Sequence, residues 1–200
     1  MNSQEKPFSQ ACENNKGPIL EVLRHAFDDR RSVLEIGSGT GQHAVYFAAQ
    51  LSHLEWQTSD LEQNHPGIRL WLDEAGLPNL RPPIALDVTH PDWPEGFDAV
   101  FTANTTHIMP WSAVERMIAR IGAELPTDGV FCQYGPFNYG GRYTSDSNAR
   151  FDLWLRQVDP AQGIRDFEAV EALALQAGLE LVADHALPAN NRLLEWIKRG

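Results

Sequence analysis

The stretch Val33-Leu34-Glu35-Ile36-Gly37-Ser38-Gly39-Thr40-Gly41-Gln42-His43 concentrates the most chemistry in the chain. An apolar run ends in three alternate glycines, and a helical pattern follows. Glycines at 37, 39 and 41 permit positive φ and let the backbone approach a ligand closely. Amides at the start of the helix behind such a turn attract a carboxylate or another anion. A ligand-free strand-to-helix turn would use glycine too, so the spacing matters. The dinucleotide fingerprint G-x-G-x-x-G needs glycine at 42, where this chain has Gln, and the pattern is E-x-G-x-G-x-G. Further on, polar residues recur where apolar runs end. Asp60 has the chemistry to accept both hydrogen bonds of a ribose diol, or to cap the following helix. Asp87 is placed for a ligand contact or for a turn before Thr89. Asn104 and His107 follow the next apolar run. An ordinary histidine titrates near neutrality, so His107 is the best general-base candidate, with a hydrogen-bonded loop histidine as its alternative.

The elements that must position these residues alternate between short β-like runs and helical patterns, as in an α/β fold. Ile19, Val22, Leu23, Ala26 and Phe27 give an amphipathic opening helix, with capping residues at 14–17 and Pro18 suited to a first turn. Strands are expected at 32–36, 56–59, 84–86 (bounded by Pro82-Pro83), 97–103 and 130–134. Helices are expected at 44–51, 68–75 and 111–125. A loop rich in Gly, Asn, Tyr and Ser covers 135–148, and helical patterns follow at 151–157 and 166–177. The chain closes with strands at 179–186 and 193–198 around a turn at 187–191, which predicts an antiparallel hairpin. This order suits a doubly wound, mostly parallel sheet with one antiparallel edge strand.

With these motifs in sequence order, the chain resembles the class I S-adenosylmethionine (SAM)-dependent methyltransferases. The resemblance implies a Rossmann-like sheet and SAM as cofactor, with S-adenosylhomocysteine (SAH) as product. It places Glu35 near the methionine amino group and Gly37, Ser38, Gly39 and Gly41 against the methionine and ribose. It assigns Asp60 and Leu61 to the ribose, and Asp87 and Val88 to adenine. Asn104 lies in the motif beside the sulfonium, where it and His107 are expected to face the acceptor. Phe8-Ser9-Gln10-Ala11, Asn15-Lys16-Gly17-Pro18 and Gly39-Thr40-Gly41-Gln42-His43 resemble a narrower branch, the small methyltransferase-like family long catalogued as a domain of unknown function. That branch carries Arg before the asparagine of its N-terminal segment, where this chain has Asn14. Residues 1–31 are expected to cover the cofactor, with Asn15 and Lys16 meeting its carboxylate or Asn15 capping a helix. Tyr134, Asn138, Tyr139 and Tyr143 are candidates for an acceptor pocket, or for stiffening their loop. His43 either orients the glycine turn or packs, and the six tryptophans read as core or edge filler.

Composition narrows the partners. The 200 residues carry 16 Lys+Arg against 27 Asp+Glu, a net charge of −11, and no basic stripe that would follow a phosphate backbone. Nucleic acid is therefore not expected as a partner. Cys12 and Cys132 make neither a disulfide framework nor a zinc pattern, and no HExxH grouping appears, so no metal is expected. The polar N-terminus and the lack of a long apolar run point to a cytoplasmic protein without a membrane span. The leading reading is methyl transfer from SAM to a small molecule, with a protein side chain less favoured as acceptor. A SAM-binding module without catalysis is the alternative. A nicotinamide enzyme is opposed by Gln42 and by the lack of a Tyr-x-x-x-Lys pair.

Overall fold

The computed structural model describes residues 5–200; Met1–Gln4, at the start of the polar N-terminus, lie outside the described residues. Alternation along the strands sets the layers. In β1 (Ser32–Ile36), Val33 faces one side of the sheet, while Leu34 and Ile36 face the other. β4 (Ala99–Ala103) and β5 (Val130–Gly135) repeat the pattern: Phe101 and Cys132 share the face of Val33, and Val100 and Phe131 share that of Leu34. Buried on both faces, these strands read as apolar runs and need helices on both sides.

β1 pairs in parallel with β2 (Glu55–Asp60) and with β4; β3 (Leu80–Ala85) extends the sheet beyond β2. With β5, β8 (Leu179–Leu187) and β9 (Asn191–Lys198), the order is β3-β2-β1-β4-β5-β9-β8. The hairpin is present as expected, but its antiparallel strand is not the edge. β9 inserts between β5 and β8 and is antiparallel to both, leaving β8 outermost and parallel to the rest. The helices α1 (Gln10–Ala26), α2 (Gln42–Gln50) and α3 (His65–Ala75) cover the Val33 face. α4 (Trp111–Glu124) and α6 (Phe167–Gln176) cover the other. α5 (Asp146–Val158) begins at Ser145, whose Oγ accepts from the Asn148 amide. The two-residue strands β6 (Phe137–Asn138) and β7 (Arg165–Asp166) pair outside the main sheet.

Three expectations change. α1 begins at Gln10, earlier than its apolar spacing suggests, because Ser9 caps it by accepting from Cys12. Pro18 therefore lies inside the helix, and residues 14–17 are helical rather than a cap. Pro82 and Pro83 lie within β3 rather than before it, which an edge strand tolerates because its outer groups have no ladder to join. The 135–148 loop is partly ordered as β6, and α5 starts well before its first large apolar residue, Phe151.

Candidate functional site

The carboxyl ends of β1, β2, β4 and β5 converge on a cavity of about 740 Å³, the place where open α/β sheets bind ligands. Its floor is the turn at residues 37–40, which Gly41 closes from behind. Gly37, Gly39 and Gly41 take φ values of +73°, +58° and +90°. A Cβ on Gly37 would stand 2.6 Å from Thr105 Cγ2, whereas one on Gly39 would meet nothing within 4 Å. Gly37 is thus required by packing, and Gly39 leaves the floor open. The Gly39 amide donates to Asp60 Oδ2 (2.7 Å), while Asp60 Oδ1 accepts from the Leu61 amide and from Asn64 Nδ2, both at 2.8 Å. Asp60 is both a wall residue and the tie between two turns; it is not a helix cap, since α3 receives no side-chain cap.

Glu35 lies under this floor. Its Oε2 accepts from Ser38 Oγ (2.7 Å) and Trp56 Nε1 (3.2 Å). Burial pushes its carboxyl up to about 7 against the opposing effect of those two hydrogen bonds. The roof comes from the N-terminal segment. Ser9, Cys12, Asn14 and Asn15 line the cavity. Gln42, only 2 % exposed, holds the segment down: its Oε1 accepts from the Ser9 amide (2.6 Å), and its Nε2 donates to Ser9 O (3.3 Å) and Glu13 Oε1 (2.9 Å). The residue that breaks the dinucleotide fingerprint is therefore the one that docks the roof. Trp71 helps by donating from Nε1 to Pro7 O at 2.7 Å.

Across the sheet, Asn104 and His107 also line the cavity. Asn104 adopts φ +59°, a left-handed conformation that Asn tolerates, and its amide donates to Tyr134 O. His107 is buried with its ring edge-on to Phe151 (centroids 5.3 Å apart). Burial, and then the charge of Arg165, push it down to about 4. His43 is also held near 4 by burial, with Nε2 2.7 Å from Asn15 Oδ1. Asn15 is thus a helical residue held by His43, not a cap.

A family model described as "Protein of unknown function (DUF938)" matches residues 6–198. The chain belongs to this family. Among solved structures, the DUF938 chain is similar to an O-methyltransferase family protein from Burkholderia thailandensis, with TM-score 0.82 and 15% identity over 95% of this chain and 58% of that one. The mitomycin 7-O-methyltransferase MmcR gives 0.83 and 18% over 94% and 54%. Human N-acetylserotonin methyltransferase, in complex with SAM, gives 0.80 and 13% over 96% and 53%. The chain spans just over half the length of these proteins. At such identity the likeness is one of fold: a class I methyltransferase-like sheet with helices on both faces.

Of the site residues expected in the DUF938 chain, the cavity wall contains Asn15, Gly37, Ser38, Gly39, Asp60, Asn104 and His107. Glu35 and Gly41 stand behind it; Gly41 starts α2 against Ile68. Leu61 is exposed outside the wall. Asp87 and Val88, just past the end of β3, are likewise not among the lining residues. Asp87 closes a turn by accepting from the Thr89 amide (2.9 Å) and Oγ1 (2.7 Å), and Val88 joins the core. Lys16 is paired with Glu13 and lies over the Tyr46 ring, away from the cavity. Of the tyrosines only Tyr134 lines it. Tyr139 donates to Asp184 and Tyr143 to Asp152, both as loop ties. Asn138 is paired into β6 and is likewise absent from the wall. His107 departs from the near-neutral base expected of it, since burial disfavours its cation. Wall residues missed in the sequence include Cys12, Asn64, Thr105, Asn148, Phe151 and Asn191, together with Gln42 behind the roof; of these Gln42 carried a signal, as the misfit in the glycine pattern.

Proposed function

We propose that the protein transfers a methyl group from SAM to a small molecule. The observation that carries the reading is the union of the glycine turn with Asp60 in the wall of a cavity large enough for a nucleoside and a second small molecule. The donor set fits SAM. Gly39 leaves an open floor on which its chain can lie, and Asp60 Oδ2 has one protein donor, leaving a lone pair for a ribose hydroxyl. Ser38, Thr40 and Asn15 supply neutral polar groups around the turn for the amino-acid end. The fold shared with a human methyltransferase in complex with SAM adds support.

Bound SAM supplies an activated methyl group. The protein's own contribution is to hold and align both partners and to exclude water. The roof over residues 9–15 and the buried floor serve exclusion. Asn104 and His107 border the acceptor side, His107 as a neutral hydrogen-bonding group. Glu35 acts through the turn by fixing Ser38. Calorimetric titration with SAM, SAH and NAD tests the reading. Saturable binding of SAM and SAH, weakened ~100-fold or more by Asp60→Ala through loss of charge-assisted bonds, with none of NAD, is the expected result. No binding of either sulfur compound would refute it. One observation favours a second reading, a SAM-binding module without catalysis: among the described residues, the acceptor side offers His107 only as a weak base, pushed down to about 4. SAM binding without methylated product from a broad acceptor panel would select it.

A further inference from the structure

The two ends of the cavity differ in charge. The sheet order puts Asp60, at the end of β2, four strand spacings from Asn191 at the start of β9, or ~19 Å at ~4.8 Å per strand. Asp60 is the one Asp, Glu, Lys or Arg among the described residues that line the cavity. The other titratable groups of the wall are all held neutral by burial: His43 and His107 are pushed down to about 4, and the Cys12 thiol and Tyr134 phenol are pushed up. Arg165, whose charge reaches His107, donates to the carbonyls of Thr106, Met109 and Ala161 and is thus engaged behind the wall. A carboxylate, phosphate or ammonium entering the β5 end would lose its hydration and meet no counter-charge.

That end does offer directed neutral groups. Both amide hydrogens of Asn148 are committed, to Thr144 Oγ1 (2.9 Å) and Asn190 O (3.2 Å), so Asn148 presents its carbonyl oxygen as an acceptor. Tyr134 Oη accepts from Asn191 Nδ2 (2.9 Å), and beside it the Asn15 oxygen is held by His43 Nε2 (2.7 Å). With Asn191 donating to it and no hydrogen bond given by it among the described residues, the Tyr134 hydroxyl has its own proton left to give. Beside them His107, Phe151 and Trp154 form an aromatic ladder. His107 is edge-on to Phe151, and Phe151 is stacked on Trp154 at 5.8 Å and 14°, with Trp154 55 % exposed. An aromatic surface running from the buried wall to the protein exterior suits a flat ring.

Resting on the reading of the cavity as a methyl-acceptor site, we propose that its β5 end selects an uncharged aromatic acceptor that receives a hydrogen bond from Tyr134 and donates one to Asn148. A carboxamide or lactam on a ring has this pair of groups. The test uses three probes of similar shape on the SAH-loaded protein: benzamide (neutral), benzoate (anionic) and benzylamine (cationic at neutral pH). Binding is followed by ligand-observed NMR. Benzamide is expected to bind at least ~tenfold more tightly than either charged probe, since a buried charge without a partner costs more than that factor. Tyr134→Phe is expected to weaken benzamide ~tenfold, the range of one neutral hydrogen bond. Benzoate or benzylamine binding as well as benzamide would overturn the proposal, and so would failure of benzamide while SAH binds. Equal benzamide affinity in Tyr134→Phe would overturn the role of that hydroxyl. Benzamide binding without any SAH binding would keep the neutral pocket and remove the methyltransferase reading instead.

Discussion

The two ends of the cavity are built by different means. The β1–β2 end is built on backbone: Gly37 and Gly39 at positive φ, the Gly39 amide, and one carboxylate held by three hydrogen bonds. The β5 end is made of side chains such as His107, Ile108, Tyr134, Asn148, Phe151 and Asn191, and none of its described lining residues is Asp, Glu, Lys or Arg. A backbone-built site can be charged because its donors are fixed by the fold and face the charge directly. A side-chain-built site that is buried without donors of that kind drives its own titratable groups neutral, as His107 shows. The first end suits an invariant, polar ligand, and the second a ligand chosen by shape and hydrogen bonds.

The largest effect that would separate the two ends is expected from Gly37→Ala. Its Cβ meets Thr105 Cγ2 at 2.6 Å and its φ is +73°, so strain and overpacking together cost ~3 kcal/mol. Chemical denaturation checks this, and Thr105→Ser, which removes the offending methyl, is expected to rescue part of the loss. Similar stability for Gly37→Ala and wild type would mean that the floor is not backbone-constrained.

Glu35→Gln comes next and reads the burial beneath the floor. The carboxyl is raised from 4.5 to about 7, so its contribution to stability is fully present below pH 4.5 and lost as pH rises through 7. Gln stays neutral at every pH. The variant is therefore expected to gain on wild type from pH 5 to 8, by up to ~3 kcal/mol at the upper end. His43 and His107 act with the opposite sign, being lowered from 6.5 to about 4, and lose stability as pH falls through that interval. Comparing the two proteins at each pH cancels their effect. Thermal melts that stay parallel across the range would show that Glu35 is ionised in its pocket.

A smaller effect concerns the roof. Gln42→Ala removes three hydrogen bonds to Ser9 and Glu13 and is expected to loosen residues 9–15 by ~1–2 kcal/mol, visible as faster hydrogen exchange there than in the sheet. Unchanged exchange would mean that Trp71 and Pro7 suffice. The smallest effect is expected from Lys16→Ala. The lysine pairs with Glu13 at a half-exposed site, so a change under ~0.5 kcal/mol and SAH affinity within ~twofold of wild type are the outcome. A large loss of SAH would return Lys16 to the binding site.

The comparison also separates what was readable. The glycine turn lies in one contiguous stretch, and local rules of strand, turn and helix suffice to place it; β1 falls at Ser32–Ile36 as its apolar run indicates. Asp60 was legible as the end of the next strand. The hairpin was legible as two strands near in sequence, but its insertion beside β5 was not, because which edge a hairpin joins depends on faces it must bury. Leu193 and Leu194 of β9 are fully buried on opposite faces, which requires a strand inside the sheet.

The sequence by itself determined the alternation of strands and helices, the glycine floor with Asp60 beside it, and the family to which these motifs point. Tertiary structure alone decided which polar residues share a cavity and in what charge state. It brought Asn148, Phe151 and Asn191 to the wall that holds Tyr134, put Gln42 under Ser9, and left Asp87 and Lys16 out of the cavity lining. The physical reason is range. Backbone geometry is set within a few residues, whereas desolvation depends on every neighbour that displaces water, so the neutrality of His107 exists only once Phe151 and the surrounding chain have closed around it.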